Sequence, residues 1–300
     1  MAECKQGTVI KAYNGYYYIL EAGDANNAAL TPCKMRGKLK QTRFSLVAGD
    51  HVQYEPPSDA AGEGRILAVL PRKNALQRPA MANLDQVLVV FALSNPEPHP
   101  LQLDRFLTLA ELADLPAVLC LSKADEATPD ILQHWVSLYE AAGYTVLPFS
   151  SKSGLGLDSI RALLRNKTSV LSGPSGVGKS TLLNTLFPTW GLETGAVSEK
   201  IGRGRHTTRF TQLLPLPEGG FVADTPGFSV VDFSQVTQPQ LVDCFPEFRP
   251  YAGKCRFHPC DHDHEPNCAV KAALAAGTIV ASRYESYLTI LSEIRQAKGR

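Results

Sequence analysis

The sequence predicts a multidomain α/β protein with an all-β N-terminal part and a helical, metal-binding C-terminal part. Three observations predict it: short β runs in the first 70 or so residues, alternation of apolar strands with amphipathic helices through the middle, and a Cys/His cluster near the end. A chain of 300 residues exceeds one ordinary core and suits two or three domains. We expect these at 1–72, 73–235 and 236–300.

The first unit reads as a five-stranded OB-type barrel. The runs GTVIKAY, YYYIL, HVQYE and RILAVL are β-rich, and Asn14-Gly15 between the first two is a two-residue hairpin signal. Lys34, Arg36, Lys38, Lys40 and Arg43 form a basic run, with Tyr13, Tyr16, Tyr17 and Tyr18 nearby. Basic beside aromatic groups suit an RNA surface through phosphate contact and stacking. Tyrosines of a strand also fill cores, and the sequence leaves that possibility open.

PRKNALQRPAMAN reads as a linker. After it come the strand DQVLVVFAL, the helix LDRFLTLAELAD, the strand PAVLCLS, the helix ILQHWVSLYEAAG, the strand YTVLPFS, a helix near LDSIRALL and the strand TSVLSG. Continuous apolar strands between amphipathic helices indicate a parallel sheet, with antiparallel additions expected at TRFTQLLPL and GGFVADT. The third unit closes in the helical sequence SRYESYLTILSEIRQ.

Composition excludes several classes. The content is 44% hydrophobic and 20% charged, as in a globular protein, and the net charge of +1 confines any polyanion surface to a patch. The N-terminus lacks the apolar stretch of a signal peptide, and no apolar run is long enough to span a membrane. Seven cysteines, an odd number, point to a reducing compartment; we expect a cytoplasmic, monomeric protein without a membrane partner.

Gly173-Pro174-Ser175-Gly176-Val177-Gly178-Lys179-Ser180, followed by Thr181, matches the GxxxxGK[ST] phosphate loop, directly after a strand and opening a helix. Its backbone N–H groups would curl around phosphate at a helix N-terminus. Lys179 would reach the β- and γ-phosphates as the first catalytic candidate, and Ser180 would ligate Mg²⁺. Asp224-Thr225-Pro226-Gly227 ends an apolar strand further on: Asp224 would support the Mg²⁺ shell, and the Gly227 N–H would sense the γ-phosphate. Between them, GRGRHTTRF offers Thr207 or Thr208 to the Mg²⁺, without a choice between the two. Phe228 stands where many small GTPases carry a water-orienting Gln, which makes His206 the second catalytic candidate; it reads equally as a solvated loop residue.

Ser122-Lys123-Ala124-Asp125 corresponds to NKxD, the motif whose Asp accepts from guanine N1–H and the 2-amino group. Ser in place of Asn loses an amide that normally braces the phosphate loop. Ser150-Ser151-Lys152 matches the SAK loop, which approaches guanine through backbone N–H groups. These base motifs precede the phosphate loop, so the order is circularly permuted, as a parallel sheet permits.

Cys255-x4-Cys260-x-His262-x5-Cys268 supplies three thiolates and an imidazole, a closed set for one structural Zn²⁺; His258 and His264 could supply the imidazole instead. Cys4, Cys33, Cys120 and Cys244 lie apart from this cluster. Four protein ligands would leave no open position for a zinc-bound water, which disfavours a zinc hydrolase. The same motifs would also suit an RNA-binding scaffold with negligible turnover, or a P-loop ATPase or kinase.

Together these motifs resemble the RsgA family, also called YjeQ or YloQ. The likeness covers nearly the whole chain and includes Arg78-Pro79, Ala82-Asn83-Leu84-Asp85-Gln86, Leu103-Asp104-Arg105-Phe106-Leu107, GPSGVGKSTLLN, GRGRHTTR, DTPGF, FPEF and RYESY. It selects His262 as the zinc imidazole. Ser122, Ser151 and Asn267 depart from the family pattern. The resemblance implies an OB domain, a circularly permuted GTPase core and a zinc domain. It also implies a GTPase acting in late maturation of the small ribosomal subunit, in contact with its rRNA and stimulated by it.

Overall fold

Asn14 and Gly15 take positive φ (51° and 79°), closing a tight turn that sets Tyr13 opposite Tyr16. In the computed structural model this turn joins β1 (Lys5–Tyr13) to β2 (Tyr16–Glu21), and with β3 (Thr31–Met35), β4 (His51–Glu55) and β5 (Gly64–Val69) they close a barrel in the order β1-β2-β3-β5-β4. The structure describes residues 4–23, 30–35, 45–59, 62–77, 79–192, 212–224, 233 and 236–298. Every barrel pairing is antiparallel except β3 with β5, which is parallel. Val9, Ile19, Cys33, Leu46, Val52, Tyr54 and Ile66 fill the barrel, with Tyr17 packed against them.

The period-two alternation divides the tyrosines between the faces of β2. Tyr17 goes inward, as a core-filling role required. Lys34 Nζ lies 4.7 Å from the centroid of Tyr16, and Lys11 Nζ lies 4.9 Å from that of Tyr18. Lys34 also pairs with Glu63 at 2.8 Å. Arg36, Lys38, Lys40 and Arg43 lie outside the described residues.

The stretch expected as a linker is ordered through side-chain caps. β6 (Ala75–Gln77) and β7 (Ala80–Ala82) pair antiparallel. The Asn74 side chain donates to Leu84 O and accepts from Leu84 N, at 2.8 and 2.9 Å. Asn83 donates to Gly49 O of the barrel, while Asp85 accepts from Thr168 N; both bonds are 2.8 Å.

Contacts between residues divide the chain into two units. One comprises Met1–Gln86, Arg161–Leu171 and Ile201–Phe228; the other comprises Val87–Ile160, Ser172–Lys200 and Ser229–Arg300. In the first, β12 (Gln212–Pro215) pairs antiparallel with β13 (Gly220–Asp224), as expected at TRFTQLLPL. β13 itself pairs parallel with β11 (Lys167–Ser172), so GGFVADT extends the sheet in parallel and not as the expected antiparallel addition; the long connection after β11 allows that return.

In the second unit β8 (Gln86–Ala92), β9 (Ala117–Ser122) and β10 (Thr145–Pro148) run parallel in the order β10-β9-β8. β8 is buried along its whole length, as the apolar run from Val87 to Ala92 requires, and the buried Gln86 at its start donates to Leu163 O and Ser169 Oγ. Helices α1 (Pro100–Leu112), α2 (Pro129–Ala141), α3 (Leu157–Leu164) and α4 (Lys179–Leu186) follow β8, β9, β10 and β11 in the chain. Thr128 caps α2 by accepting from Ile131 N.

The C-terminal segment carries α5 (Gln238–Asp243), a 3-10 turn (Pro246–Tyr251), α6 (Ala269–Ala275) and α7 (Ala281–Lys298). Phe245, Phe248, Tyr287, Ile290 and Ile294 form its core, and Leu101, Leu109 and Leu112 of α1 pack against them. Arg283 of α7 is 1% exposed and donates to Asp104 Oδ1 of α1 at 2.6 Å and to Glu247 Oε1 at 2.7 Å. Burial opposes its charge, but Asp104 and Glu247 outweigh that cost and keep the guanidinium protonated.

Candidate nucleotide site and metal centre

The phosphate loop is shaped by three glycines at positive φ: Gly173 at 134°, Gly176 at 80° and Gly178 at 96°. A Cβ on Gly173 would meet Val90 O of β8 at 2.1 Å, so only glycine fits there. Gly178 is the N-cap of α4, and the N–H groups of a first helical turn, which have no acceptor within the helix, are the donors an anion requires. Lys179 Nζ donates to Gly173 O at 2.8 Å and to Pro174 O at 2.6 Å, which lays the ammonium along the loop. Ser180 is half-buried at the first turn and Thr181 is exposed.

Two further loops of the same unit stand beside it. Ser122 ends β9, and its buried hydroxyl donates to Val177 O within the phosphate loop at 2.6 Å. Lys123 takes φ 56° and donates to Asn95 O; Asp125 is exposed. Ala124 N donates to Phe149 O at 3.1 Å, bringing the 122–125 loop to the end of β10. There Ser150, 1% exposed, accepts through Oγ from the N–H groups of Lys152 and Ser153 at 3.1 and 3.0 Å. This turn leaves Ser151 half-buried and Lys152 exposed. Three motifs from separate parts of the chain are therefore hydrogen-bonded neighbours.

Asp224 is the last residue of β13. His206, Thr207, Thr208, Gly227 and Phe228 lie outside the described residues.

The second candidate is the group Cys255, Cys260, His262 and Cys268, whose four donor atoms lie within 4.8 Å of one another. His262 Nδ1 is 3.6 Å from Cys255 Sγ and 3.3 Å from Cys268 Sγ, and the two sulfurs are 3.9 Å apart. A tetrahedral ion with the usual Zn–S and Zn–N lengths needs ligand separations of about 3.5–3.8 Å, and those among Cys255, His262 and Cys268 come close to it, with Cys260 as the fourth donor nearby. His262 at φ 56° and Asn267 at φ 55° turn the loop.

Around the cluster, Tyr284 donates to His262 O at 2.6 Å and Ala269 N donates to Cys255 Sγ at 3.3 Å. Arg295 clamps the loop to α7 through Asp263 at 2.6 Å and Asp261 at 3.0 Å. Burial pushes the Cys260 thiol up to about 12 and holds the His262 imidazole below its ordinary value. A bound cation would reverse the first effect, while the second keeps a neutral imidazole available. His264 lies on the surface beside Asp263, and Cys244 is a buried thiol apart from the group.

Ser122 keeps a bond to the phosphate loop that the exchange of Asn for Ser was expected to lose, because its hydroxyl reaches Val177 O, while the Arg283–Asp104–Glu247 network is not foreseeable from local sequence. Only the placement of Asp104, Glu247 and Arg283 within the LDRFL, FPEF and RYESY motifs signals the latter.

The family described as "RsgA GTPase" matches residues 69–234, and "RsgA N-terminal domain" matches residues 6–66. The chain belongs to the RsgA GTPase family. Proteins described as "Small ribosomal subunit biogenesis GTPase RsgA" are similar over nearly the whole length. The one from Alkaliphilus metalliredigens is 43% identical, covering 97% of this chain and 98% of the relative. That from Moorella thermoacetica is 44% identical, covering 96% and 97%. The crystal structure of YjeQ from Thermotoga maritima superposes with a TM-score of 0.84 at 34% identity, covering 97% of this chain and 99% of that one. YloQ, described as a circularly permuted GTPase, gives 0.81 at 33% identity, covering 99% and 97%. The RsgA members thus share the barrel, the permuted GTPase order and GTP hydrolysis as their chemistry.

Proposed function

We propose that this chain is a GTP-hydrolysing switch that binds the small ribosomal subunit and its rRNA late in subunit maturation, with hydrolysis stimulated by the subunit. The observation that carries the reading is the hydrogen-bonded meeting of the phosphate loop with the 122–125 loop, and of that loop with the end of β10. A site for phosphate alone would need only the first of these.

In this reading the Gly173–Thr181 backbone cradles the phosphates and Lys179 neutralises the charge that develops on the β- and γ-oxygens. Asp125 accepts from guanine, and an adenine would leave that carboxylate unpaired. Lys123, Ala124 and the loop 150–152 flank the base. Ser180, Asp224 and either Thr207 or Thr208 would hold Mg²⁺, which would supply positive charge to offset that developing on the transferring phosphoryl group. Gly227 reports on the γ-phosphate, and His206 is the candidate to orient water. Cys255, Cys260, His262 and Cys268 would hold one structural Zn²⁺ that fixes the C-terminal fold. The barrel at 1–72 and the segment at 236–300 would each supply contacts for the subunit. The Lys–Tyr pairs of the barrel suit an RNA surface.

We place the protein in the cytoplasm as a monomer; no helix among the described residues is long and apolar enough to cross a membrane. Co-sedimentation with purified small subunits tests the partner. Recovery in the subunit fraction with a non-hydrolysable GTP analogue, and less with GDP, is expected. Equal recovery with both, or none, contradicts the switch.

A further inference from the structure

We propose that Ser122 is a positioning residue that sets the phosphate loop and makes no contact with the base. The inference rests on the nucleotide-site reading above and assigns this side chain a task within it.

Val177 lies between Gly176 and Gly178, both at positive φ, so the peptide joining 177 to 178 has little local restraint. Two things hold it. The Val177 side chain is 1% exposed, and its carbonyl accepts from Ser122 Oγ at 2.6 Å. Ser122 is itself fixed at the end of β9, 3% exposed, with its own carbonyl accepting from Leu93 N at 3.0 Å. The anchor is therefore rigid.

A trans peptide places its C=O and N–H on opposite sides. Drawing Val177 O toward β9 turns the Gly178 N–H away from β9. Gly178 is the N-cap of α4, so this N–H adds to the donors at the helix N-terminus that phosphate requires. One hydroxyl thus orients a donor next to Lys179.

A serine hydroxyl carries a single proton, and here it is committed to Val177 O. Nothing is left to donate to a purine. The burden of choosing guanine falls on Asp125 and on the loop 150–152. The loss expected from replacing an amide by a hydroxyl is therefore confined to the base, and the loop keeps its brace.

The test is binding of GDP, IDP and ADP to the full-length wild type and to Ser122→Ala and Ser122→Thr, with melting temperature and zinc content followed alongside. Ser122→Ala leaves a buried carbonyl unpaired, so all three nucleotides should bind about tenfold more weakly. The GDP/IDP and GDP/ADP ratios should stay as in wild type, and Ser122→Thr should restore affinity. Should the alanine variant not fold, Ser122→Cys, close in size but a weak donor, is read in the same way. Wild-type affinity in Ser122→Ala, or weakening of GDP alone with narrowed ratios, overturns the proposal. A wild type that binds ADP as well as GDP overturns the guanine reading and leaves the brace to be judged on the uniform loss. A wild type that binds no nucleotide overturns both.

Discussion

The phosphate loop and the Cys/His segment are both short, turn-rich stretches that end at the N-cap of a helix, Gly178 for α4 and Cys268 for α6. They are built on opposite principles. The first works through its backbone: glycines at positive φ present N–H groups, and the side chains of Lys179, Ser180 and Thr181 remain at least partly exposed. The second works through side chains: Cys255, His262 and Cys268 are buried and stand among Phe248, Tyr284 and Tyr287 as part of a hydrophobic core. Perturbing the first should therefore cost activity, and perturbing the second should cost stability.

The largest effect is expected at the metal. Cys260→Ala should lose stoichiometric zinc, measured by atomic absorption, and unfold the C-terminal segment at a temperature where the wild type is folded. Wild-type zinc content would exclude this ligand set. Next, Arg283→Ala leaves Asp104 and Glu247 buried without their counter-charge, a loss of about 3–5 kcal/mol read by denaturant unfolding. Turnover per folded molecule should change far less, and a reverse pattern would break the contrast between the regions.

At the phosphate loop, Lys179→Ala should lower GTP turnover by at least about 100-fold, since a positioned charge is worth that in comparable sites. Its melting temperature should stay near wild type. Gly173→Ala acts on the same loop, where a Cβ would meet backbone Val90 O at 2.1 Å in a residue held at φ 134°. Displacing backbone costs at least about 1–3 kcal/mol, and it should appear as weaker nucleotide binding in a titration.

Both regions were legible because their chemistry restricts residue type. A phosphate loop needs glycine where the backbone turns left-handed and Lys-Ser at a fixed offset, and a tetrahedral site needs thiolates and imidazoles in close spacing. The Asn14-Gly15 turn and the apolar run of β8 were legible for equally local reasons. What holds the sites in place was not. Arg283 finds Asp104 at a separation of 179 residues, and Ser122 finds Val177 at 55. No local pattern encodes such pairs. The parallel closure of β3 on β5 and the folding of the 73–85 stretch depend likewise on distant partners, as Asn83 with Gly49 illustrates. Ser122 shows what a motif comparison alone misses: the residue departs from NKxD, yet its hydroxyl bonds directly to the phosphate loop.

The most direct measurement is hydrolysis of GTP and ATP by the purified protein, with and without small ribosomal subunits. The account predicts slow basal turnover, strong stimulation by the subunit, and stimulation confined to GTP. Absence of stimulation, or equal use of ATP, would contradict it.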